Sequence, residues 1–105
     1  MSERTPEIGV DEFAAARPDT RLIDVRSPDE YAEGHVPGSV NVPLEEVLAA
    51  PQQFADQDLH VICRSGGRSA TAADAVNAAG ARAVSVAGGT AGWIDAGHEV
   101  ERGSQ

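Results

Sequence analysis

An α/β domain, with a parallel sheet covered by helices on both faces, is the fold class this sequence predicts. Three observations lead to it. Short β-branched runs alternate with helix-patterned stretches, the loops joining them are short and carry Gly or Pro, and 105 residues suffice for one core but not two. Hydrophobic residues make up 41%, which places the chain among folding sequences. Aromatics make up only 4% and most of the apolar mass is Ala and Val, so close backbone approach is expected to stabilise the core. A single domain is read over 6–101, with flexible ends at 1–5 and 102–105. There is no internal repeat, low-complexity segment or interior linker.

Taken in order, Ile8-Gly9-Val10 supplies a first strand. Asp11 then caps a short helix over 12–17 that Pro18 ends. Leu22-Ile23-Asp24-Val25 is a β-branched run bounded by turn formers, hence a strand. Ser27-Pro28-Asp29-Glu30 starts a helix with Ser at the N-cap, Pro at the first helical position and Glu at the third. Gly34, Pro37 and Gly38 break it, Val40-Asn41-Val42 is a brief strand, and a helix over 44–50 stops at Pro51. Leu59-His60-Val61-Ile62 is the best candidate for a central strand and ends at Cys63. Gly66-Gly67 turns the chain into a helix over 68–79. Its Ala72, Ala73, Val76 and Ala79 share a face spaced for burial, and Gly80 sits at C′. Ala83-Val84-Ser85-Val86 is the last strand, Gly88-Gly89 turns, and a helix over 90–96 ends at Gly97.

The formal net charge of −9, with eight Arg and no Lys, disfavours nucleic acid and anionic membrane surfaces as partners. No run reaches the roughly 20 apolar residues of a membrane span, and the start lacks a signal-peptide stretch, so the cytoplasm is the expected location. One cysteine excludes an internal disulfide and any site needing two Cys ligands. A reducing compartment suits that lone thiol.

Parallel sheets bind ligands outside the carboxyl ends of their strands, which is where Cys63 falls. Cys63-Arg64-Ser65-Gly66-Gly67-Arg68-Ser69 joins the predicted central strand to a helix N-terminus. Amides there have no intrahelical partners, and two glycines let the chain curl so that several donors face one point. An anion belongs at that point. Flanked by Arg64 and Arg68, Cys63 is expected to be largely thiolate at neutral pH. A lone Cys is ordinarily a small buried hydrophobe. Here Gly-Gly and two guanidinium groups argue for reactivity instead.

With these residues in place, the chain resembles the rhodanese-like sulfurtransferases over almost its whole length. Leu22-Ile23-Asp24-Val25-Arg26, Glu30-Tyr31, Gly34-His35-Val36-Pro37-Gly38-Ser39 and Asn41-Val42-Pro43 look like the family's N-terminal signature. The segment 63–69 is similar to its active-site loop, and Gly88-Gly89 with Trp93 and Gly97 looks like its C-terminal signature. His98-Glu99 departs from the family's usual apolar-Pro ending. The resemblance implies a three-layer α/β/α sandwich with a five-stranded parallel sheet in strand order 3-2-4-5-1. Relatives that handle phosphate or arsenate resemble His-Cys, five residues, then Arg. Here Ile62 precedes the cysteine and four residues separate Cys63 from Arg68, a smaller ring suited to one terminal sulfur.

The resemblance implies a thiosulfate sulfurtransferase. Cys63 is its nucleophile, and Arg64, Ser65, Gly66, Gly67, Arg68 and Ser69 are its substrate-binding residues. Ser69 serves equally well as a helix-start residue. Asp24 and Arg26 are read first as an ion pair holding the loops, His35 as a hydrogen-bonding anchor and Trp93 as a packing residue near the loop. His60 and His98 show no metal-ligand spacing and are expected at the surface; no metal and no cofactor are predicted. Sulfur passes from thiosulfate or another small donor, through a Cys63 persulfide, to cyanide, a thiol or a protein acceptor, which must be external because no second cysteine exists. The alternative is a non-enzymatic persulfide carrier or partner-binding module.

Overall fold

The computed structural model describes residues 5–17 and 19–103. The strands are β1 (Glu7–Gly9), β2 (Arg21–Asp24), β3 (Val40–Asn41), β4 (Asp58–Ile62) and β5 (Arg82–Ala87). They form one sheet in the order β1-β5-β4-β2-β3, every pair parallel. Read from the other edge this is 3-2-4-5-1. The β4 strand is central because its neighbours cover both its edges, pairing Ile23 with Val61 and Val61 with Ser85.

The helices are α1 (Val10–Ala16), α2 (Pro28–Glu33), α3 (Leu44–Ala49), α4 (Gly67–Ala78) and α5 (Gly89–Asp95). Side chains alternate across a strand, so β2, β4 and β5 each feed two cores. Ile23, Leu59 and Val61 pack with Val47 of α3 and with Ala72, Ala73 and Val76 of α4. Leu22, Ile62 and Val86 pack with Val10 and Phe13 of α1 and Trp93 of α5. The alanines of α4 bring that helix close to the sheet, as the Ala-rich composition implies.

Local chemistry explains where the observed bounds differ from those expected. The first strand covers Glu7–Gly9, and Val10 already belongs to α1. Gly9, not Asp11, is the N-cap; Asp11 and Glu12 lie in the first turn, where they complement the helix dipole. The helix ends at Arg17, which takes a left-handed conformation (φ 37°) and donates its N–H to the Phe13 carbonyl at 2.7 Å. Pro18, expected to end it, lies outside the described residues. Val25 leaves the strand, though its N–H still reaches the Ile62 carbonyl at 2.9 Å. After α3, Pro51 starts a 3-10 turn over Pro51–Phe54 that buries Phe54. The sequence pattern did not announce it.

The Ser27 start of α2 has the expected form: Ser27 Oγ accepts from the Glu30 N–H, and Glu30 Oε1 accepts from the Ser27 N–H. In α4, Ser69 joins the buried face, while Ala79 is its half-buried C-cap. His60 is buried, not at the surface, because it lies on the central strand; Thr20 Oγ1 hydrogen-bonds its Nδ1 at 2.6 Å, and burial lowers its pKa. His98 is half-buried and lies against Trp93. No helix among the described residues is long and apolar enough to cross a membrane.

Candidate active site

Cys63 directly follows β4, with 1% of its surface exposed. Gly66, with φ +119°, folds the chain back so that its N–H donates to Cys63 Sγ at 3.0 Å. A positive φ of this kind favours glycine. Gly67 opens α4 and meets no such demand, since an added Cβ there would touch nothing within 4 Å. Ser69, in the first turn of α4, lies with its Oγ 3.5 Å from Sγ. Its hydroxyl donates to the Gly66 carbonyl and hydrogen-bonds Ser85 Oγ at 2.8 Å, which ties the loop to β5.

Burial pushes the Cys63 thiol up. The Ser69 hydroxyl and the amides of Ser69, Gly66 and Ser65 outweigh it and hold the pKa below the ordinary 9.0. From the sequence, helix-start amides together with Arg64 and Arg68 are expected to lower it; the amides do so with the Ser69 hydroxyl, and neither guanidinium is among the causes. Arg64 is exposed, and its side chain makes no hydrogen bond or ion pair among the described residues. Arg68 makes a two-pronged ion pair with Glu30, Nη1 to Oε1 at 2.7 Å and Nη2 to Oε2 at 2.9 Å. An ionised Cys63 also favours the Arg68 cation, so the two charges sense each other.

The last helix closes the loop from beneath. Thr90 donates its N–H to the Cys63 carbonyl at 2.8 Å and Ala91 to the Arg64 carbonyl at 2.9 Å. This approach requires glycine at position 89, where φ is +57° and an added Cβ would stand 2.5 Å from both carbonyl oxygens. Asp24 and Arg26 form a buried pair, Nη2 to Oδ2 at 2.8 Å, and Arg26 Nη2 also donates to the Gly34 carbonyl. Buried His35 donates Nδ1–H to the Tyr31 carbonyl at 2.8 Å, stacks on the Tyr31 ring, and exchanges backbone hydrogen bonds with Glu101. Trp93 packs on Phe13 and His98 and donates Nε1–H to the Glu99 carbonyl, on the face of α5 that meets α1.

Beside the loop lies an open pocket of about 280 Å³, lined among others by Arg26, Glu30, Glu33, Arg64, Thr90 and Ile94. The sequence reading did not single out Glu30, Ser85 or Thr90 for the site. Glu30 is visible in the sequence as a capping residue and as part of the N-terminal signature, but its contact with Arg68 spans 38 positions. The adjoining Gly88-Gly89 pair was the one sequence signal near Thr90.

The rhodanese-like domain profile matches residues 10–96. The chain is 32% identical over 93 residues to YrkF of Bacillus subtilis (strain 168), a proposed sulfur carrier protein, covering 84% of this chain and 50% of that one. It thus spans half of that relative's length. It is 36% identical to the thiosulfate sulfurtransferase PspE of Escherichia coli (strain K12) over 70 residues, 64% of this chain and 67% of that one. A rhodanese-related protein from Thermoplasma volcanium superposes with a TM-score of 0.83 at 30% identity, covering 91% of this chain and 97% of that one.

Proposed function

This chain belongs to the rhodanese-like domain family, and from that premise we propose that it is a thiosulfate sulfurtransferase working through a Cys63 persulfide. One observation carries this: its single thiol sits at the end of the central strand with amide donors converging on Sγ and the Ser69 hydroxyl 3.5 Å away. Those donors stabilise the thiolate that attacks, and then the terminal sulfur of the persulfide. The thiolate attacks the outer sulfur of thiosulfate, a new S–S bond forms, and the donor's S–S bond breaks with its electron pair leaving on sulfite. Cyanide then attacks the outer sulfur of the persulfide, departs as thiocyanate, and returns the thiolate.

Arg64 has no partner among the described residues and is the cation free to meet an anionic donor, whereas Arg68 is already engaged by Glu30. Arg64→Ala should therefore lower kcat/KM for thiosulfate by about 10- to 150-fold, the worth of one charge-assisted contact. Arg68→Ala should cost less. A tetrahedral phosphoryl group needs more room than the four residues between Cys63 and Arg68 provide, so hydrolysis of a small aryl phosphate should not exceed the Cys63→Ser background.

The relative proposed as a sulfur carrier favours a second reading in which the loop holds sulfur for a protein acceptor without small-molecule turnover. Steady-state thiocyanate formation separates the two. Turnover that Cys63→Ser abolishes supports the enzyme; sulfur loading without turnover supports the carrier. Turnover retained in Cys63→Ser overturns both.

A further inference from the structure

The pocket beside the Cys63 loop holds charges that a dianion alone would not select. Of its two cations, Arg26 is paired with Asp24, while Arg64 has no anionic partner among the described residues. Of its two carboxylates, Glu30 is saturated by Arg68, while the Glu33 carboxylate makes no hydrogen bond or ion pair among the described residues. What is left uncompensated is one guanidinium and one carboxylate lining the same space.

Two further donors accompany Arg64. The Thr90 hydroxyl is buried, with 2% of the residue exposed, and has no partner among the described residues. Arg26 spends Nε and Nη2 on Asp24 and Gly34, and its Nη1 makes no hydrogen bond among the described residues. A buried hydroxyl without a partner is costly, and a ligand oxygen here would relieve it. The pocket is tied to the nucleophile through its lining residues: Arg64 follows Cys63 in the chain, and the Thr90 N–H donates to the Cys63 carbonyl. At about 280 Å³, it falls just below the roughly 300–1,000 Å³ of drug-sized sites, which suits a small metabolite. Half-exposed Ile94 supplies an apolar wall.

We propose that this pocket is the acceptor subsite and that it takes a small zwitterionic thiol of the amino-acid class. Arg64, Arg26 Nη1 and Thr90 would receive the carboxylate and Glu33 the ammonium. This rests on the Cys63 persulfide proposed above. The bound thiol loses its proton to solvent, and its thiolate attacks the outer sulfur of the persulfide. The persulfide S–S bond breaks with its electron pair returning to Cys63 Sγ, and the product is the acceptor's own persulfide.

The experiment loads the full chain with thiosulfate, confirms the persulfide by intact mass, and follows its discharge by cysteine, 3-mercaptopropionate and cysteamine. Rates are expressed per thiolate because the three thiols ionise differently. Cysteine should exceed each single-charge analogue by about tenfold or more in kcat/KM. Glu33→Gln should erase its advantage over 3-mercaptopropionate, and Arg64→Gln its advantage over cysteamine. Equal rates for the three thiols, or a Glu33→Gln effect that lowers all of them alike, would overturn the proposal. Should no persulfide form, the proposed function fails and the pocket is read directly: S-methylcysteine shifts the NMR signals of Thr90 and Arg64 in wild type and not in Glu33→Gln, or the proposal fails as well.

Discussion

At the scale of single residues, the chemistry of Cys63 depends on groups that carry no charge. Ser69 contributes both a hydroxyl and an amide toward Sγ, so Ser69→Ala removes a donor that favours the thiolate and should raise the thiol's pKa. The rate of sulfur loading against pH should then rise to its plateau at higher pH in the variant than in wild type; coincident profiles would show that the amides suffice. Glu30 is the charged residue whose titration the loop governs, through Arg68. Arg68 and Ser27 hold its pKa down from 4.5 to about 2, in spite of the opposing effect of burial. Because the folded value is depressed, the stability Glu30 contributes is present above pH 4.5 and is lost as pH falls toward 2. Glu30→Gln keeps a capping-box residue but drops the ion pair. Its stability deficit in denaturant titrations should be present at neutral pH and shrink between pH 4.5 and 2. A deficit independent of pH would assign the cost to the cap instead.

Among elements, the two glycine pairs look alike in sequence and differ in demand. Gly89→Ala combines a positive φ with a Cβ 2.5 Å from the Cys63 and Arg64 carbonyls, and should cost about 3 kcal/mol or more and slow sulfur loading. Gly67→Ala, at the open start of α4, should change stability by no more than about 0.5 kcal/mol either way. Denaturant melts of the two variants check both. The same contrast shows what sequence can reveal. Strand β4, the Ser27 capping box and the 63–69 loop were legible because periodicity, caps and turn residues are local signals. The cap of α1 was misplaced because a bare Gly9 caps with no side chain at all, while the nearby Asp11 looked like the conventional choice. His60 is expected at the surface because its burial comes from Phe13 of α1 and from Thr20 packing against it, which no local pattern records. The Glu30–Arg68 tie and the Ser69–Ser85 bond were illegible for the same reason, since each joins different elements.

For the whole molecule, strand order accounts for the site. With β4 in the centre, the loop after it is supported on both sides, on the β2 side by the Glu30–Arg68 ion pair and on the β5 side by the Thr90 and Ala91 N–H groups that the Gly88-Gly89 turn brings against it. A small core with few aromatics can hold such a loop because α4 and α5 begin with residues small enough to bring their amides against it. A net charge of −9 makes the approach of an anionic donor unfavourable at long range, so capture falls to local donors and Arg64. Everything proposed for the function converges on one covalent adduct, and intact-mass spectrometry after incubation with thiosulfate detects it directly. Wild type should gain one sulfur atom that dithiothreitol removes, and Cys63→Ser should gain none; a wild-type mass unchanged by thiosulfate, or a sulfur retained by Cys63→Ser, would contradict a Cys63 persulfide.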